Sequence, residues 1–500
     1  MHSVRQKRTT TGCLTCRMRR KKCNDARPTC IGCQRNHLIC TWPTDRKAFQ
    51  EILSSRSTAQ KPPKTTDVVI RKPVYGTSAP TMSAATPPAV TRNLVTIPHP
   101  LDLMPGIRKQ TDKHFFDHYL NVTALQLAGR VSPRNAFLSH LIPLAYQDAR
   151  VVQCLLALSG AQLCYHSNHY EHNARSHYAV SLRSVKHALL DWHVLKATEL
   201  AGLLTSTLML CFFEVVIGNA DGNFFFHLRA SRTMLLELRG NRAHQVDQSL
   251  LDLLTEFYAF FAINANLTLH TDLPVNREIP EDPFLSSESL VSLNKGSDIH
   301  GVLFGSAHEL FGLIMPIARS ARYLLQHQNL AQRDINLRKY EKQIKAWTYV
   351  PSSQSSLDRC SDASNPDAYK LAGEVYRQAI LIFLYTMFHG PNPPTPSLIA
   401  QVDALLDITI YHAAAIPFGA PVQTTMAWAA LIGGSCMRNS EHRAILKYSM
   451  ENVSLSMLSL RRNLSFLEAL WEEMDEDELV YGPYGIELTM QRREIHLTCA

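Results

Sequence analysis

Six cysteines between residues 13 and 40 constrain this chain more than anything else in its 500 residues. They read Cys13-x2-Cys16-x6-Cys23 and then, after a short loop containing Pro28, Cys30-x2-Cys33-x6-Cys40. The pattern is one half-motif written twice. A C-x2-C pair lets two thiolates reach one metal from a single turn, and zinc takes four such ligands tetrahedrally. Six ligands do not divide into fours. One zinc leaves two thiols idle. Two zincs need eight coordination positions, which six thiolates fill only when two of them bridge. The duplicated halves fit the second arithmetic, since each supplies the same three ligands. On that reading two zinc ions provide the fold that so short a unit cannot draw from a hydrophobic core.

The thiols are set among cations. In GCLTCRMRRKKC (12–23), Arg17, Arg19, Arg20, Lys21 and Lys22 occur with no acidic residue between them. Two zinc ions and six thiolates leave a core charge of −2, which these side chains offset while helping to keep the thiols ionised. Residues 1–50 hold twelve Lys/Arg and two Asp/Glu, against 39 basic and 41 acidic residues in the remainder. The net charge of +8 therefore arises in the first tenth of the chain. Such asymmetry points to a polyanionic partner, nucleic acid ahead of an anionic membrane surface. The opening MHSVRQKRTTTG has no apolar core, so the expectation is a reducing compartment, where clustered cysteines favour metal over disulfide. The other six cysteines are scattered and read as small buried hydrophobes or inert thiols.

Simpler readings account for less. A single zinc on Cys13, Cys16, Cys30 and Cys33 leaves Cys23 and Cys40 spare. A RING or LIM site needs eight ligands, and His37 alone cannot make up the number. A bare nuclear-localisation run explains RMRRKK but not the cysteine spacing.

The stretch resembles the fungal binuclear zinc cluster family of transcription factors. The matching pieces are Gly12, C-x2-C-R-x-R-R-x-K-C, the loop proline and the second C-x2-C-x6-C. Asn24 departs from the pattern, since the family often has Asp there; the expectation is that this leaves the metal unaffected. The resemblance implies that Cys13 and Cys30 bridge the two ions. It also implies a short helix after Cys16 that points its C-terminal end into the major groove of double-stranded DNA. Arg19 and Arg20 then approach base edges, where guanidinium forks pair with guanine O6 and N7, and a CGG-type half-site is implied. Arg17, Lys21 and Lys22 would hold phosphates, setting register rather than sequence. The same basic run is expected to direct the chain to the nucleus.

Beyond the cluster the organisation is read as a basic arm (1–8), the cysteine unit (9–44), a linker (45–108) and a large all-helical part (109–500). Nine of the 26 prolines lie between Pro62 and Pro105, and proline removes backbone donors and fixes φ, so a disordered tether is the natural reading. Asp148 is placed to cap a helix. Residues 224–239 read as a helix stopped by Gly240, and 368–388 as one closed by Gly390-Pro391. Polar breaks fall near 276–300 and 351–367. The apolar run 201–218 carries Glu214 and two Thr, and reads as a buried helix rather than a membrane span. The helical part resembles, by texture and order, the fungal-specific regulatory domain that accompanies these clusters. That implies contact with a metabolite or with transcriptional co-regulators.

Other motifs are weaker. His166, His169, His172 and His177 do not fall cleanly on one helical face, and a polar helix start is the plainer reading. His308-Glu309 begins an H-E-x-x pattern, but Gly312 stands where a zinc protease needs its second histidine. No catalytic fingerprint appears, so no enzyme is expected. The run 471–485 sets six acidic residues beside Trp471, Leu479 and Tyr481. It reads as a solvated helix end or packing loop, with an activation segment as the alternative. Residues 45–60 offer at most one or two turns of apolar spacing, too little for a coiled coil, so the expectation is monomeric binding or a homodimer made through the helical part. The expected protein is a nuclear regulator of metabolic or biosynthetic genes. The alternative is a metabolite-binding scaffold or enzyme that uses a zinc module for protein contacts.

Overall fold

The computed structural model describes residues 22–27, 30–35, 104, 106–130, 135–218, 221–265, 282–286, 289–290, 301–305, 307–349, 366–495 and 497. The chain divides into two units, Met1–Leu94 and Val95–Ala500. Among the described residues every regular element is helical and there is no strand. In the first unit the described helix is α1 (Ile31–Arg35).

The second unit is built on two long helices that act as hubs. The longer helices, in order, are α2 (Gln110–His118), α3 (Ala149–Cys164), α4 (Glu171–Ala188), α5 (Ala197–Ile217), α6 (Asn223–Gly240) and α7 (Gln248–Ala265). They continue with α8 (His308–Gln326), α9 (Leu330–Ala346), α10 (Pro366–His389), α11 (Pro396–Ala415), α12 (Ala427–Gly434), α13 (Ser440–Glu451), α14 (Leu458–Glu476) and α15 (Gly482–Arg493). Helix α5 packs against α3, α4, α6, α7 and α14, and α10 against α8, α9, α11, α12 and α15. A helix surrounded on every side must be apolar all round. That explains the run at 201–218: α5 has a mean hydropathy of 2.1 and lies wholly inside the domain. Its Glu214 is buried, accepts the Tyr178 hydroxyl, and sits 3.8 Å from His227 Nε2. Helix α11 is also long and apolar, but most of it faces outward.

Local signals set several helix ends. Asp148 caps α3 by accepting the Arg150 N–H at 2.8 Å. Helix α10 runs one residue beyond the sequence reading, to His389, and closes at Gly390, whose φ of 85° suits glycine. Gly240 is the last residue of α6 rather than its stop, and Asn241, still right-handed, ends the helix. Gly218 closes α5 in the left-handed region. The core begins before α2: Met104 and Ile107 are buried, and Asp112 accepts the N–H groups of Arg108 and Lys109, both at 2.9 Å. Residues 351–365, most of the second polar break, lie outside the described residues, as do all of 45–103 and most of 276–300.

Candidate zinc cluster and nucleic-acid interface

Twelve described residues carry half of the cysteine motif. Cys23, Cys30 and Cys33 are buried, whereas Lys22, Asn24, Asp25, Arg27, Ile31 and Gln34 are exposed. A stretch with charged and polar residues outside and sulfur inside has thiols for a core. Cys30 stands immediately before α1, and its Sγ accepts the Cys33 N–H at 3.3 Å. An amide aimed at sulfur stabilises the thiolate that zinc requires. The Gln34 N–H closes on the Cys30 carbonyl at 2.9 Å, so the first helical turn fixes the two cysteines of this C-x2-C pair relative to each other. Asp25 adopts a left-handed φ of 57° just after Cys23 and turns the chain. Asn24 Oδ1 accepts the Ile31 N–H at 2.8 Å and ties that turn to α1.

The donor set suits zinc in chemistry: three buried sulfurs, two of them one turn apart, with a backbone amide on one. Among the described residues no three His, Cys, Asp or Glu side chains converge on one metal position. Cys13, Cys16 and Cys40 lie outside the described residues, as do Arg17, Arg19, Arg20 and Lys21. Lys22 is described and exposed. Sequence reasoning treated Asn24 only as a departure from a familiar pattern. Its role in tying the loop to α1 depends on a partner seven residues away, and an Asn ahead of a C-x2-C turn was the available signal.

The remaining candidates resolve into structure. Cys154, Cys164, Cys211 and Cys436 are buried, and burial pushes the Cys154 and Cys436 thiols up to about 12 and Cys164 up to about 11, while Cys360 and Cys499 lie outside the described residues. His177 bridges Gln153, at 2.8 Å, and Asp112, at 3.3 Å, while His166 meets Ser456 at 2.9 Å. His177 therefore ties α2, α3 and α4 together. The acidic run 471–485 is the end of α14 and the turn into α15. Trp471 is buried and donates its indole N–H to the Gly434 carbonyl at 2.8 Å. Glu473 pairs with Arg493 and Arg492, Asp477 with Arg492, and Asp475 with Arg443. Trp471 and Tyr481 are buried while Glu472, Asp475, Glu476 and Glu478 stay exposed, so the run is a solvated helix end anchored by its aromatic residues.

Residues 11–48 match the fungal Zn(2)-Cys(6) binuclear cluster domain, and residues 114–492 match the fungal specific transcription factor domain. The second match covers most of the chain, and the protein belongs to the fungal zinc cluster transcription factors. Proteins of this family bind zinc through the cluster and bind DNA. Membership places the chain among transcriptional regulators. It is 57% identical over 37 residues to the zinc cluster transcription factor CZF1 of Candida albicans, covering 7% of this chain and 10% of that protein. It is 35% identical over 81 residues to the transcription factor lfc1 of Flammulina velutipes, covering 16% of this chain and 27% of that one. It is 26% identical over 252 residues to the aspercryptin biosynthesis cluster-specific transcription regulator atnN of Emericella nidulans, covering 49% and 37%. The chain thus spans well under half the length of each of these relatives. No solved structure matches it significantly.

Proposed function

We propose that this chain is a nuclear, sequence-specific regulator of RNA polymerase II genes that reads C/G-rich half-sites of CGG type. Cys13, Cys16, Cys23, Cys30, Cys33 and Cys40 hold two zinc ions between them. Arg19 and Arg20 read guanine edges, while Arg17, Lys21 and Lys22 hold phosphates. Residues 9–44 act as the DNA-binding domain, the chain from 45 as a tether that ends where the core begins at Met104, and the remainder as a regulatory domain that receives a co-regulator or small effector. The observation that carries the reading is the burial of Cys23, Cys30 and Cys33 in an otherwise polar stretch, at the spacing of the matched cluster domain. Biosynthetic genes are the favoured targets, because the relative that matches about half of this chain is named for regulating a biosynthetic cluster.

The test is metal analysis and duplex binding on the full chain. Two zinc ions per chain are expected, with binding to a CGG duplex that chelation abolishes. That binding weakens steeply with salt, because phosphate contacts release counterions. Equal affinity for a scrambled duplex would favour the alternative, a scaffold whose zinc module contacts proteins.

A further inference from the structure

Asn24 stands directly after Cys23, and its side chain reaches forward seven residues to the Ile31 N–H at 2.8 Å. Ile31 opens α1, and the first N–H groups of a helix have no partner within it. Two of those donors are taken in different ways: Cys33 N–H goes to the Cys30 sulfur and Ile31 N–H to Asn24. Between the two ends of this bond the chain turns through Asp25 in the left-handed region. The bond therefore spans the loop that joins the two halves of the cysteine motif.

We propose that Asn24 is a positioning residue for the zinc cluster: its side-chain carbonyl holds α1, with Cys30 and Cys33, against the turn that carries Cys23. This rests on the reading of these cysteines as zinc ligands. Fixing the two halves to each other limits the chain freedom that metal binding must otherwise remove, so the bond favours the metal-bound fold. An amide does this without adding negative charge beside a core that already carries −2. An aspartate would accept the same bond and add that charge. Asn24 thus contributes to the metal site although it is not a ligand, contrary to its reading as a neutral departure.

The experiment is zinc competition on the full-length protein, with a colorimetric chelator as the probe, comparing wild type, Asn24→Ala and Asn24→Asp. At saturation all three are expected to hold two zinc ions per chain. The chelator concentration that removes half the zinc is expected to fall about fivefold for Asn24→Ala, the usual consequence of losing a helix cap. Asn24→Asp is expected to stay within about twofold of wild type, because its carboxylate retains the cap. Far-ultraviolet circular dichroism should show the helices of the second unit melting alike in all three. Equal zinc retention by Asn24→Ala and wild type overturns the proposal, and so does an Asn24→Asp protein no better than Asn24→Ala. A wild-type protein that saturates at one zinc refutes the cluster reading itself, which is a separate failure.

Discussion

Glu256 lies buried in α7 and accepts the backbone N–H of Leu303 at 2.7 Å, so a carboxylate inside the domain clamps the turn at 301–305. The Phe304 N–H approaches the same oxygen at 3.3 Å. Burial raises this carboxyl from its usual range to about 7, against the opposing pull of the two amides and of Arg130.

The sign of the resulting pH dependence follows from linkage. Above pH 7 the group is charged both folded and unfolded, and the burial penalty is felt in full. As pH falls from about 7 toward 4.5 the folded state takes up a proton first, and stability rises by on the order of 3 kcal/mol. Below 4.5 both states are protonated and the gain is complete. Glu256→Gln, neutral at every pH, should flatten this part of the profile. Glu256→Ala should instead cost about 2 kcal/mol at pH 5 by orphaning two amides. Denaturant unfolding followed by circular dichroism from pH 4.5 to 8 checks both.

Trp471 makes the acidic run part of the fold. Trp471→Ala should destabilise the helical domain by about 3–5 kcal/mol, since it removes a large buried ring and orphans the Gly434 carbonyl. Deleting 471–485 should lower protein abundance and melting temperature before any reporter output is considered. Undiminished stability after the deletion would return the run to the status of a free activation segment.

Gly160 sits where α3 meets its neighbours. A Cβ there would stand 2.6 Å from Phe115 Cε2 and 2.8 Å from the Ala174 Cβ. Neither neighbour has room to retreat, because both are fully buried. Gly160→Ala should therefore cost about 1–3 kcal/mol by overpacking despite its better helix propensity. A thermal melt that rises instead would show that α2 and α4 can move apart.

At the DNA, Arg20→Ala should relax specificity at one base pair by about 1–3 kcal/mol. Lys22→Ala should weaken all duplexes alike and reduce the salt slope by about 0.9. Fluorescence anisotropy on matched and mismatched duplexes over a salt series separates the two. A Lys22→Ala protein that changes base preference would contradict the division of roles.

Some of this was legible along the chain, for local physical reasons. Ligand valence makes six cysteines in two matching halves a metal motif wherever the rest of the chain goes. A carboxylate at Asp148 can reach only the amides just ahead of it, and Gly390 can adopt a backbone angle that most residues resist, so both helix ends are written locally. The apolar run at 201–218 announced burial in a protein core rather than a bilayer because it carries Glu214 and two threonines.

What remained belonged to partners distant in sequence. Whether the charges at 472–478 face solvent or arginines depends on Arg443, Arg492 and Arg493, which no local pattern brings near. Glu256 carries a raised carboxyl because the packed domain buries it, and the amides it clamps come from a turn some fifty residues on. By itself the sequence determined the metal motif, the helical class and several helix ends, because those depend on valence and on neighbours within a turn. The tertiary structure alone decided which polar groups are paired and which acids lose their water, because desolvation and ion pairing depend on what packs against a residue from elsewhere in the chain.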